Sequence, residues 1–373
     1  MSSLRVVIVG AGVIGLTHAI TAREAGHEVT VLERDGRALG ASVRNFGTLW
    51  PIGCTAGPER EQALFGVRRW KEVAEATGIW CRASGSLTLA YREEAWGVLT
   101  EFGADDGTFE LLEPRDVRRR FPAANPTGLR GALFSAAEAC VHPPSAMAGL
   151  AAHAQRIGVT LHFNTLAVRV APDRVDTSDG RSFAFDRLVI AAGEDMRLLF
   201  PEALAAAEVV PCRLQMMRTV SQPTGFDLGA ILVSDLTLGH YPAFRDCPST
   251  PALRARLAEE LPDHTRWGVH VIAAHHVDGT ITLGDSHEYG PDLPMESHAE
   301  VEALILDALR EFAMIPALHV AARWQGVYLR STVGRTQVVL HPQERVTMVA
   351  AMGGLGMTLG WGLARDTVAG WSA

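Results

Sequence analysis

The stretch Val7-Ile8-Val9-Gly10-Ala11-Gly12-Val13-Ile14-Gly15, followed by Val29-Thr30-Val31-Leu32-Glu33, decides how this chain reads. An apolar run feeds into Gly10, Gly12 and Gly15, and a second apolar run ends on a carboxylate. Each part has a physical task. Gly10 permits a tight turn, Gly12 lets the backbone approach a pyrophosphate, and Gly15 lets the next helix pack close to its sheet. The helix start adds unpaired N–H groups and a favourable dipole for phosphate. Glu33 stands where a ribose hydroxyl would be held. Strands over 4–10 and 27–33 around a helix over 13–26 complete a nucleotide-binding βαβ unit.

Outward from that unit, composition narrows the class. A chain of 373 residues can bury a large core and divides most naturally into two domains. The net charge of -8 is spread along the sequence, and no basic tail or basic-aromatic array points to nucleic acid. Cys54, Cys81, Cys140, Cys212 and Cys247 have neither metal-ligand spacing nor a dense disulfide pattern, which suits a reducing compartment. The chain enters its first apolar strand without a basic region or small-residue cleavage site, so a cytoplasmic protein is expected. Residues 348–364 carry no charge, but five of them are glycines and Gly353-Gly354 interrupts the run. A strand, a tight turn and a packed helix are expected there rather than a membrane span.

Residues 34–60 form a long glycine-rich connection suited to wrapping a ligand. Helical periodicity follows over 60–77, and a basic helix carries Arg118, Arg119 and Arg120, read as a solvated face. A helix over 144–158 precedes strands over 159–163, 167–170 and 187–192, with a turn at Asp179-Gly180. Strand-like runs from 212 to 287 predict a largely β region, and an amphipathic helix spans 297–313. A strand over 346–350 and a helix over 355–370 close the first domain.

The motifs at Gly10–Gly15, Glu33, Ser42–Gly47, Ala191–Gly193 and Gly353-Gly354-Leu355-Gly356-Met357-Thr358-Leu359 resemble the flavin-dependent D-amino-acid oxidase, glycine oxidase and sarcosine oxidase superfamily. The resemblance covers nearly the whole chain. It implies an α/β fold plus a mixed β-rich domain: an FAD-binding Rossmann-like domain, residues 1–86, 143–212 and 323–373, with an inserted substrate domain, residues 87–142 and 213–322. It also implies FAD rather than NAD. Gly10, Gly12, Val13, Ile14 and Gly15 would surround the pyrophosphate, with Glu33 and Arg34 at the adenosine end. Ser42, Arg44, Asn45, Phe46 and Gly47 match the stretch that approaches the flavin, and Val168, Ala192 and Gly193 join the cofactor set. Gly354, Leu355, Gly356, Met357 and Thr358 match the turn beside the isoalloxazine, where backbone N–H groups stabilise negative charge on reduction. The strand that carries a flavin-linked cysteine in monomeric sarcosine oxidases resembles Trp324–Arg330, which has none, so non-covalent FAD is expected.

The family oxidises a carbon–nitrogen bond, with the amine positioned for hydride transfer to flavin N5 and the imine then hydrolysed. No residue is assigned as a catalytic acid or base. Glycine oxidase-like proteins carry a carboxylate-binding arginine where Tyr328 stands here, with Arg330 two residues on along the same strand face. Arg44, His240, Tyr241, His287, Tyr328 and Arg330 are the candidate substrate-orienting residues. No metal is expected, because the histidines lack a recognisable ligand motif.

Ser42–Gly47 with Trp50-Pro51-Ile52-Gly53, and Trp324–Tyr328, also look like a bacterial subgroup associated with aminophosphonate metabolism, implying 2-aminoethylphosphonate or its N-methyl derivative as substrate. A glycine or D-amino-acid oxidase or dehydrogenase, an FAD-dependent hydroxy-acid dehydrogenase, and a non-catalytic flavin-binding interaction protein are the alternatives. The expected partners are a small amine, acidic or phosphonate-bearing, and oxygen or another electron acceptor, with neither nucleic acid nor membrane. A homo-oligomer is compatible with the sequence.

Overall fold

A computed structural model describes residues 3–104, 107–293, 295–350 and 353–372. Ala351 and Met352, within the uncharged 348–364 stretch, lie outside the described residues. Six strands form the first sheet in the order Val338–Leu340, Val346–Ala350, Arg187–Ile190, Arg5–Val9, Glu28–Leu32 and Thr160–His162. All neighbours run parallel except the Val338–Leu340 edge, which is antiparallel to Val346–Ala350. Layers cover both faces of this sheet, so its inner strands read as continuous apolar runs, and Val6, Val7 and Ile8 are all buried.

Helix Val13–Glu24 turns Leu16, Ala19 and Ile20 inward and stops at Gly26, whose φ of +90° continues no helix. It packs with helices Pro58–Thr77, Pro143–Arg156 and Gly356–Ala369 on one side of the sheet. Contact between two of these helices is at backbone distance. A Cβ on Gly66 would meet the Thr358 carbonyl oxygen at 2.1 Å, and one on Gly362 would meet the Gln62 carbonyl oxygen at 2.7 Å. The other side carries a small antiparallel sheet, Ala167–Val170, Arg174–Thr177 and Ser182–Ala184, whose Val175 packs in one core with Val7 and Val9.

The second large sheet has nine strands and holds the biggest apolar core. Its longest members, Val209–Thr219 and Val320–Ser331, pair antiparallel along nearly their whole length. Three of the expected domain boundaries, 86/87, 212/213 and 322/323, fall inside the strands Ser86–Ala90, Val209–Thr219 and Val320–Ser331. All three strands belong to the nine-stranded sheet along their lengths. The 212–287 region, expected to be largely β, also contains helices Thr250–Glu260 and Pro262–Arg266. The first of them buries only Thr250, Leu253 and Leu257, an apolar stripe too narrow to stand out in the sequence. Among the described residues, no helix is long and apolar enough to cross a membrane.

One buried titratable group ties this packing to pH. His18 lies fully buried, with Nδ1 2.7 Å from the Ile14 carbonyl and Nε2 3.3 Å from Thr367 Oγ1. Burial pushes its imidazole down to about 4. Unfolding restores a value near ~6.5, so the unfolded chain binds the extra proton. The associated stability is complete above about pH 6.5 and is lost as pH falls toward the folded value, about 3 kcal/mol in all. Melting temperatures across this window should fall less steeply for His18→Gln than for the unaltered chain. Parallel curves would show that His18 has the same pKa folded and unfolded.

Candidate active site

A single continuous cavity runs from the first βαβ unit to the second sheet. At its start, Gly10 has φ +106°, and a Cβ there would lie 2.5 Å from the Ala191 carbonyl oxygen. Gly15 faces away from the cavity and serves packing, since its Cβ would overlap the Gly10 carbonyl at 1.8 Å. Gly12 precedes the helix and has no side-chain cap, and no acidic residue stands in the helix's first turn. Ser42 Oγ accepts the Val13 N–H at 2.9 Å from across the cavity. Gly12, Val13 and Ile14 line the wall, so the positive end of the helix opens onto the cavity.

Glu33 lines the same wall, pinned by two backbone donors. Its Oε2 accepts the Ala11 N–H at 2.7 Å and its Oε1 accepts the Asp35 N–H at 3.0 Å. Burial raises the carboxyl pKa and these two donors pull it back. Lone pairs remain on both oxygens for ribose hydroxyls. Arg34 stands beside it, paired with Asp195 and with Asp35 at 3.2 Å.

The 41–47 segment wraps the cavity through its own side chains. Asn45 Nδ2 donates to the Ala41 carbonyl at 2.9 Å, and its Oδ1 accepts the Gly47 N–H at 2.7 Å. Ser42, Arg44, Asn45 and Phe46 line the wall. Gly47 does not, and its φ of +75° beside the Val141 carbonyl makes it a shaping residue. Arg44 is exposed, with Nη1 donating to the Gln325 carbonyl at 3.3 Å. Ala192 and Gly193 line the cavity after strand Arg187–Ile190. Val168 does not line it. The register slips between Ala167 and Arg169, leaving Val168 unpaired and half exposed, while Thr165, Leu166 and Ala167 face the cavity instead.

The C-terminal turn supplies a second helix start. Gly353 and Gly354 take φ of +55° and +80°, and helix Gly356–Ala369 begins with no side-chain cap and no acid in its first turn. Gly354, Leu355, Gly356, Met357 and Thr358 all line the cavity. Two bonds brace this turn from behind: the Trp50 N–H to Thr358 Oγ1 at 2.8 Å, and Trp70 Nε1 to the Met357 carbonyl at 2.7 Å. Two helix starts without a capping side chain of their own N-cap residue, and a pinned carboxylate on one cavity, are the donors and acceptor that FAD's phosphates, reduced ring and ribose require. The residues fit FAD. Among the described residues no cysteine lines the cavity, so FAD is held there without a thiol link.

On the second-sheet side, His240, Tyr241, His287 and Tyr328 line the same cavity. Arg330 lies just outside the lining. Its Nη1 donates to the Tyr289 hydroxyl and its guanidinium sits 5.1 Å from that ring's centre. Among the described residues it has no carboxylate partner. Its charge still reaches the site and lowers the pKa of His240, His270 and His287, after the larger effect of burial. The sequence reading passed over His270 and gave Asp285 no role, yet Asp285 lines the cavity and His270 packs against His240 and His287. Without any ligand motif in the sequence, one ring nitrogen from each of His240, His270 and His287 nevertheless lies within 4.8 Å of the others. No local signal marks this group, because its members come from three separate segments. His275 and His276 lie elsewhere, against Asp227 and Thr282.

Comparison with known proteins accords with this geometry. Glycine oxidase from Geobacillus kaustophilus superposes with a TM-score of 0.77 at 20% identity, covering 99% of this chain and 94% of its own. L-proline dehydrogenase from P. horikoshii gives 0.80 at 18% identity, covering 98% and 92%. Both bear out the Rossmann-like domain with an inserted β-rich domain. A D-amino acid dehydrogenase of Phenylobacterium zucineum (strain HLK1) is 55% identical over 49 residues, 13% of this chain and 12% of that protein. Matches to such curated relatives span from 12% to about half of their length. Residues 5–369 match the DAO family, described as FAD dependent oxidoreductase, and with both FAD-binding ends in place the chain belongs to that family.

Proposed function

We propose that this chain oxidises the carbon–nitrogen bond of a small amine that carries an anionic group. The observation that carries this reading is Arg330: among the described residues a guanidinium without a carboxylate partner, bonded to Tyr289 and close to three uncharged histidines and Tyr328. A half-buried guanidinium with no carboxylate beside it favours an anion from the ligand. FAD, when bound, supplies the acceptor for the hydride leaving the carbon. The protein's own part is to orient and to exclude water. Tyr328 stands beside the C-terminal turn, its hydroxyl 3.5 Å from where a Cβ on Gly354 would lie, so it borders both cofactor and substrate space. The substrate nitrogen gives up its proton as the imine forms, and water then releases the carbonyl product.

The names of similar proteins, glycine oxidase and D-amino acid dehydrogenase, favour an amino acid as substrate. The Tyr289 hydroxyl beside the Arg330 guanidinium adds a donor, which favours the three oxygens of a phosphonate, as in 2-aminoethylphosphonate and its N-methyl derivative. Anaerobic flavin reduction separates these. Glycine, sarcosine, D-amino acids and both aminophosphonates should be compared with a neutral amine and a hydroxy acid of similar size. Amines with an anion are expected to reduce the flavin at least about tenfold faster than the neutral amine. Reduction by the hydroxy acid alone would overturn the reading. Peroxide formation on admitting air then distinguishes oxygen from another acceptor.

A further inference from the structure

We propose that His240, His270 and His287 bind a divalent transition-metal ion of the zinc class in the cavity wall. Their rings converge from three segments, with centroids 4.1 Å apart for His240 and His270, 4.4 Å for His240 and His287, and 4.9 Å for His270 and His287. One nitrogen of each lies within 4.8 Å of the other two, close enough for small side-chain rotations to bring them onto one ion.

Ordinary packing does not account for the polar atoms. His270 is only 2% exposed, yet neither of its ring nitrogens has a hydrogen-bond partner, and Asp285 Oδ1 beside it has none. Buried imidazoles and carboxylates are satisfied in nearly all proteins, so these atoms are available to a ligand. The neighbours match those of metal-bound histidines, which give their second nitrogen to a carboxylate or a backbone carbonyl. Asp285 Oδ1 lies 3.3 Å from His270 Nε2, and His287 Nδ1 lies 3.0 Å from the Gly268 carbonyl. Nδ1 of His270 and Nε2 of His287 then keep their lone pairs for the ion.

Charge is consistent with this assignment. Burial, the largest influence on each ring, favours the neutral, ligating form of all three. Because His240 and His287 line the cavity, a fourth coordination position would open toward it, available to water or to an anionic ligand. The site does not depend on which substrate the enzyme oxidises.

The test uses the FAD-loaded enzyme, stripped with a chelator, incubated with Zn²⁺ and passed through gel filtration. Mass spectrometry of the eluate should find about one zinc ion per chain. His270→Ala and, separately, His240→Ala should each retain at least about tenfold less zinc, with FAD content and far-ultraviolet circular dichroism unchanged. Zinc should also raise the melting temperature of the unaltered enzyme and not that of the variants. Absence of retained zinc in the unaltered enzyme, or equal retention in a folded His240→Ala variant, would overturn the assignment. Should His270→Ala fail to fold, the His240→Ala comparison decides.

Discussion

Gly12→Val is expected to yield a folded protein that has lost its flavin. The Gly12 backbone is extended, with φ -74° and ψ -179°, so valine adopts it without strain. The obstacle is steric and local. A Cβ at this position lies 2.8 Å from Ser42 Oγ, the atom that accepts the Val13 N–H, and branches beyond it enter the space where phosphate meets the helix start. Overpacking of this kind costs about 1–3 kcal/mol, and displacement of phosphate from the N–H groups adds to it. FAD affinity should fall by about 100-fold or more. Flavin absorbance per chain after gel filtration, with the melting temperature of the flavin-free protein as a control, measures it. A variant that copurifies with a full complement of FAD would remove Gly12 from the phosphate site. Gly10 is less informative, because its φ of +106° and the nearby Ala191 carbonyl make substitution there a folding defect.

Arg330→Ala should leave FAD binding intact and selectively impair amines that carry an anion. A charge-assisted hydrogen bond of a guanidinium is worth about 1.5–3 kcal/mol, so flavin reduction by such amines should slow by about 10- to 150-fold at low concentration. A neutral amine should be nearly unaffected. Arg330→Lys keeps the charge but loses the planar fork and should fall between the two. Equal losses for neutral and anionic amines would mean that Arg330 acts by holding Tyr289 in place, through the hydroxyl contact and ring stacking already present.

The cofactor end of the molecule was readable because its determinants are local. Gly10, Gly12, Gly15 and Glu33 each report one steric or hydrogen-bonding requirement, and the structure sets them around one helix start. The C-terminal Gly353–Met357 turn was readable for the same reason. Val168 misled because a bulge decides which way a strand residue points, and alternation alone does not reveal a register slip. The substrate end depends on long-range convergence. His240 follows a short helical turn, His270 precedes strand Ile272–His275, and Asp285 and His287 lie between strands Ile281–Gly284 and Glu288–Tyr289. Nothing in those separate stretches states that they meet. The unexpected helices after residue 249 hide for a related reason, since each buries too few side chains to impose a period.

The order of strands in the first sheet has a consequence for synthesis. Arg5–Val9 pairs with Glu28–Leu32, made almost at once, but its other neighbour is Arg187–Ile190, and Val346–Ala350 lies beyond that. The helix that completes the flavin turn, Gly356–Ala369, follows later still and seats against the helix at Val13–Glu24. A nascent chain therefore holds its phosphate loop ready long before the ring end of the cavity exists. Contacts between such distant parts of the chain form slowly and leave apolar surface waiting for its cover. An FAD that bridges the cavity needs both the first phosphate loop and helix Gly356–Ala369, so its tight capture would report that this helix has been made and seated.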